Sequence, residues 1–109
     1  MENFIKVSVD FSTTPGARYR SDGKFSGEEF YQTKLKKAFE KALQAKQLLT
    51  IDLDGTYGYA TSFLSEAFYS LAVDFGSAIV RNNISFISND EPYLIDEIIE
   101  YINDAESKA

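Results

Sequence analysis

Apolar and polar residues alternate from Phe4 to Phe11, with Ile5, Val7, Val9 and Phe11 on one side and Phe4, Lys6, Ser8 and Asp10 on the other. The period of two and the β-branched content predict a first strand there. Residues 12–25, STTPGARYRSDGKF, break the pattern with Pro15-Gly16 and Asp22-Gly23 and predict a loop. Between those two turns, Ala17 to Ser21 has room for a short extra hairpin strand. Phe25-Ser26-Gly27-Glu28-Glu29-Phe30 then opens a helix. Ser26 and Glu29 have the spacing of a capping box, and Phe25 and Phe30 that of a hydrophobic staple. Tyr31, Leu35, Ala38, Phe39 and Ala42 continue at helical spacing, with Lys34, Lys37 and Lys41 on the opposite side.

Gln47 to Asp54 holds a short apolar run, LLTIDL, suited to a central parallel strand. A second helix is predicted from Ser62, with Leu64, Ala67, Phe68, Leu71 and Phe75 on one stripe and fraying near Phe75-Gly76. Ser77 to Arg81 is read as an extension of it and Asn82-Asn83 as a turn. Ile84 to Ser88 is the third strand. Asn89-Asp90-Glu91-Pro92 opens a last helix, where acidic residues and proline suit the first turn. Ile95, Ile98, Ile99 and Ile102 are its inner stripe.

The order β-α-β-α-β-α predicts an α/β fold with a mainly parallel sheet, about three helices and right-handed crossovers. The 109 residues suffice for one domain, 1–109, with one core. In such a sheet the loops after every strand gather along the C-terminal edge, where open α/β proteins bind their ligands. That edge is expected to carry Arg18, Tyr19 and Arg20, then Asp54 to Ser62, then Asn89 to Glu91.

Composition narrows the chemistry. Without cysteine or histidine there is no thiolate, no Ser-His-Asp or Cys-His nucleophile and no histidine-ligated zinc. No catalytic constellation replaces them, so an enzyme is not expected, and no cofactor or metal is predicted. Asp10, Asp52 and Asp54 lie near strand ends where carboxylates hold Mg²⁺, but Asp54-Gly55 reads first as a turn. No apolar run approaches bilayer length and the N-terminus lacks a signal-peptide pattern, so a cytoplasmic protein without a membrane partner is expected.

The net charge of −6 is unevenly divided: residues 1–50 carry +3 and residues 51–109 carry −9. An acidic chain repels nucleic-acid phosphates, whereas a charge division of this kind suits a protein partner. It is equally what one basic and one acidic helix face would produce.

The stretch DLDGTYGYATSFLSEAF, with TPGARYRSDGKFSGEEF before it, resembles the STAS-like domains of unknown function found in bacteria and phages. More distantly it is similar to the STAS domains of anti-sigma-factor antagonists. That resemblance implies a regulatory domain that binds another protein, a kinase- or ATPase-like regulator in the antagonists, and is switched by phosphorylation of a serine at a helix head. By position the serine is Ser62, with Thr61 beside it. Ala60 stands where the antagonist loop has aspartate, and Phe63 where it has glycine.

Thr61 and Ser62 have a plainer reading as N-caps, and capping is compatible with a switch. Arg18 and Arg20 flank Tyr19 either as a clamp for phosphate or carboxylate or as a solvated loop. If both reach the head of the second helix, they are partners for an anion there. Tyr57 and Tyr59 are either interface anchors or a cover for the sheet edge. Beside the docking module stands a second expectation, a phosphate- or nucleotide-binding protein using Arg18, Arg20 and the helix N-terminus. Oligomeric state stays open.

Overall fold

The computed structural model describes residues 3–108. Strands β1 (Phe4–Lys6), β2 (Leu49–Asp52) and β3 (Ile84–Ile87) form a parallel sheet in the order β1-β2-β3. Ile5 pairs with Ile51, and Ile51 with Phe86. Strand alternation sends Ile5, Leu49, Ile51, Leu53 and Ile84 into the core, leaving Phe4, Lys6, Thr50, Asp52, Ser85 and Ile87 on the other, partly exposed face.

The first strand is shorter than its alternation predicts. After Lys6 the chain makes a helical turn, α1 (Val7–Asp10). The cause is local: the Asp10 carboxylate accepts from Lys6 N at 2.8 Å, and Phe11 N and Ser12 N both donate to Val7 O. The turn carries Phe11 onto Phe30 and Phe63, 5.2 and 6.0 Å between ring centres.

No hairpin strand forms in residues 12–25. Arg20–Asp22 is a 3-10 turn, and the carbonyls that a strand would pair are used to start the next helix: Ala17 O accepts from Gly27 N and Arg18 O from Glu28 N. That helix runs in one rod through α2 (Gly27–Phe30), a π-helical stretch (Tyr31–Leu35) and α3 (Lys36–Ala45). Ser26 caps it, accepting from Glu29 N at 3.0 Å. Phe25 and Phe30, the staple pair, both pack on Phe11.

Helix α4 (Thr61–Phe75) lies at the centre of the helical layer, packed against α2 on one side and α6 (Leu94–Lys108) on the other. Gly76, at φ +96°, ends it. Beyond that glycine the chain does not extend α4 but forms a separate helix, α5 (Ser77–Asn83), bent 110° from it. Asn82 and Asn83 belong to α5 instead of forming a turn, and Asn83 Nδ2 donates to Ile79 O one turn back. Residues 89–93 make a turn ahead of α6 rather than its first turn.

Phe30, Leu35, Phe39, Phe63, Phe68, Leu71, Ile98 and Ile102 are fully buried between sheet and helices. Among the described residues no single helix is long and apolar enough to cross a membrane.

Candidate functional site

Three loops meet at the C-terminal edge of the sheet, and Asp54 is their junction. Its carboxylate accepts from Asn89 N (2.8 Å), Asp90 N (2.9 Å) and Asn89 Nδ2 (3.0 Å), and Gly55 N donates back to Asp90 Oδ2 at 3.0 Å. Asp52 accepts from Asp54 N and pairs with Lys6 Nζ at 3.3 Å, so β1 is joined to the same network. Gly55 is at φ +93°, which requires glycine, and a Cβ there would stand 2.7 Å from Ser8 Oγ, so that hydroxyl would also have to turn away.

Bonds from the Asp90 N–H above all, then from Asn89, with Lys6 nearby, hold the Asp54 carboxyl below its ordinary range. A lowered carboxyl favours the folded state above that range and loses the contribution as pH falls through the folded value. The stability gap between wild type and Asp54→Ala is therefore expected to be full at neutral pH and to close under acid. Denaturant unfolding across a pH series measures it. A gap that does not change with pH would mean that the charge of Asp54 is not what holds the two loops.

From this junction the chain crosses the edge. Tyr57 N donates to Thr13 O at 2.9 Å, which ties the second loop to the first, while the Tyr57 side chain is 89% exposed. Tyr59 turns inward. Its hydroxyl donates to Leu53 O at 2.9 Å, its ring lies on Phe63, and burial pushes its phenol well above the ordinary value. The two tyrosines are thus separated in role: Tyr59 covers the sheet edge, and Tyr57 is presented to solvent.

The head of α4 is not capped by a hydroxyl. Ala60 is the N-cap, extended at φ −73° and ψ 139°, and its carbonyl accepts from Phe63 N and Leu64 N. Thr61 and Ser62 are the first two helical residues, exposed and half-buried respectively, and neither side chain makes a cap bond. The N-cap reading of this pair is therefore corrected: the helix begins one residue earlier than expected and leaves both hydroxyls unspent. Among the described residues, the N–H groups of Thr61 and Ser62 have no acceptor within the chain.

Arg18 and Arg20 diverge. Arg18 Nη1 reaches Glu66, in the second turn of α4, at 3.8 Å. Arg20 Nε donates to Gln32 at 3.0 Å, and its backbone N–H to Glu28 at 2.9 Å, so it is held along the first rod. Tyr19, between them, is partly exposed. The condition that both arginines reach the head of α4 is not met.

Asp10, Asp52 and Asp54 do not converge on a cation: the first serves Lys6 N, the second Lys6 Nζ, and the third residues 89–90. Among the described residues no group of three acidic side chains is placed to hold a metal. Reading the sequence missed Lys6 and Glu66 as partners. Lys6 was legible as a polar residue at the end of a strand; Glu66 carries no local signal, because its partner is 48 positions away in the chain.

A parallel sheet whose three C-terminal loops are tied together beside an unspent helix head defines a small α/β domain of β-α-β-α-β-α order. Its family is given by sequence: the chain belongs to the STAS-like domain of unknown function (DUF4325), whose model matches residues 26–94. The match runs from the cap of α2 to the first residue of α6, and so includes the Asp54 junction, Tyr57 and the head of α4; residues 18–20 lie outside it. No curated protein and no solved structure matches the chain.

Proposed function

We propose that this chain is a non-catalytic regulatory module that binds a protein partner through the C-terminal edge of the sheet and the head of α4. The observation that carries the reading is the state of that head: Ala60 does the capping, so Thr61 and Ser62 present two hydroxyls and two unpaired N–H groups beside the exposed Tyr57. An aromatic ring standing in solvent on an anchored backbone is the kind of side chain that dominates interface energies. A phosphate on Ser62 would add about −1.5 to −2 charge at a helix N-terminus, where the dipole accepts it, and would change the docking face at once. The family resemblance supports the same arrangement and suggests a kinase- or ATPase-like regulator as partner.

The rival reading, a phosphate- or nucleotide-binding protein, keeps the N–H groups of α4 in its favour but loses the arginine clamp, since Arg20 is bonded to Gln32. The test is affinity capture from the native source with wild type, Tyr57→Ala, Ser62→Ala and Ser62→Asp, followed by mass spectrometry of residues 57–68. One partner captured by wild type and Ser62→Ala, and lost with Tyr57→Ala and Ser62→Asp, is the expected result. Equal capture by all four would remove the edge from consideration. Thermal stabilisation of the isolated chain by a nucleotide would shift the assignment to the rival.

A further inference from the structure

The helical layer is flanked by two surfaces of opposite charge. On the side of β1, Lys34, Lys37 and Lys41 are exposed at i, i+3 and i+7, and no acidic side chain of the described residues pairs with them. They line a groove of about 470 Å³ whose apolar wall is Phe4, Ile5 and Ala38. Asp10 also borders the groove but is engaged with Lys6 N. On the far side of α4, Tyr93, Asp96 and Glu100 recur at the same i, i+3 and i+7 spacing, all exposed, with Tyr93 at 56%.

We propose that α6 of one copy lies in the lysine groove of a second copy, so that the chain associates head to tail. Charge complementarity names the occupant. The groove needs an acidic helix edge with one aromatic residue at its start, and α6 displays such an edge on the opposite flank, with Tyr93 in the turn immediately before it. With equal spacing the two stripes come into register, Asp96 on Lys37 and Glu100 on Lys41, while Tyr93 meets Lys34 and the partly exposed ring of Phe4. Addition of a strand to β1 is a poorer fit, because that strand is three residues long and its last N–H is taken by Asp10.

The two patches are different surfaces on opposite flanks, so the contact is heterologous and builds a closed ring or an open row of copies. The lysine groove is clear of the C-terminal edge, and of the acidic patch only Tyr93, whose hydroxyl donates to Glu91 at 2.9 Å, adjoins it. Every copy in a ring or row keeps its docking loops, which would turn one weak edge into a multivalent one. The inference does not depend on what that edge binds.

Sedimentation velocity of the full chain tests it. At low salt the weight-average mass should rise with concentration above the 12.3 kDa monomer, and return to it at about 1 M salt, where the Debye length is about 3 Å. Lys34→Glu/Lys37→Glu/Lys41→Glu and Asp96→Lys/Glu100→Lys should each stay monomeric alone, with unchanged circular dichroism, and associate when mixed in equal amounts. Wild type that remains monomeric at low salt, or a mixture that fails to associate, overturns the proposal. So does a charge-reversed variant that self-associates like wild type.

Discussion

Phe63→Ala should lower the stability of this domain by about 3–5 kcal/mol, the range found when a fully buried phenylalanine is cut back to alanine. Phe63 has no exposed surface, and it touches three other rings: Phe30 at 5.5 Å, Phe11 at 6.0 Å and Tyr59 at 6.0 Å between centres. These partners come from the first rod, from the turn after β1 and from the edge loop. One side chain therefore fixes the head of α4 to three separate segments. Against a whole-domain stability of about 5–15 kcal/mol the loss is large, and for a domain at the low end of that range it leaves a fraction of the chain unfolded at room temperature. Urea titration gives the value, provided the slope stays that of wild type. A loss near 1 kcal/mol would show that the four rings do not pack as one cluster.

Phe63→Gly extends the same argument toward function. By the resemblance drawn from the sequence, glycine is the antagonist-loop residue at this position, and here it would remove the ring and add about 1 kcal/mol of helix penalty. The head of α4 in this chain is anchored by an aromatic plug, Phe63, which has no exposed surface. A phosphorylated Ser62 would sit on a rigid platform, so its effect on binding is expected to be electrostatic and direct.

Periodicity made much of this architecture legible. The rod from Ser26 was readable because its signals are local: a serine cap, two acids in the first turn and a three-to-four-residue apolar repeat. The central strand was readable because LLTIDL is bounded and apolar. The failures have a common cause, a polar group that satisfies the backbone locally and overrides the pattern. Asp10 bends a run with perfect alternation into a helical turn, and the carbonyls of Ala17 and Arg18 are claimed by the start of α2 before any hairpin forms. At the site, composition pointed to the right loops but not to the bonds between them. Asp54 to Asn89 and Arg18 to Glu66 join residues that only the completed sheet brings together. The loss of the hydroxyl caps was unreadable for a subtler reason. Serine and threonine look the same to pattern analysis at the N-cap and one residue beyond it, and a shift of one residue decides whether their oxygens are used.

Gly27→Ala should destabilise the protein, although the same exchange in the interior of an exposed helix gains about 1 kcal/mol. A Cβ at position 27 would stand 2.4 Å from Phe63 O and 3.1 Å from Glu66 Cβ. The first of these is backbone, which cannot swing aside, so α2 and α4 would have to separate. Nor can α2 retreat freely, since Gly27 N donates to Ala17 O at 2.8 Å behind it. Overpacking of this kind costs about 1–3 kcal/mol, and sometimes more, which outweighs the propensity gain. Gly16→Ala provides the contrast: the nearest atom to its Cβ is at 3.8 Å, so its effect should stay within about 0.5 kcal/mol. The clash falls on the Phe63 carbonyl, which Phe63→Ala leaves in place, so the overpacking persists in the double variant; the loosened ring cluster lets α2 and α4 adjust, and the two costs should add to less than their sum. Separation of the two helices would also displace Glu66 from Arg18 and move the head of α4 against the edge loops, so partner capture should fall along with stability. A stabilised Gly27→Ala protein would instead mean that the two helices are further apart than 2.4 Å implies, and that the platform under Ser62 is looser than the ring cluster suggests.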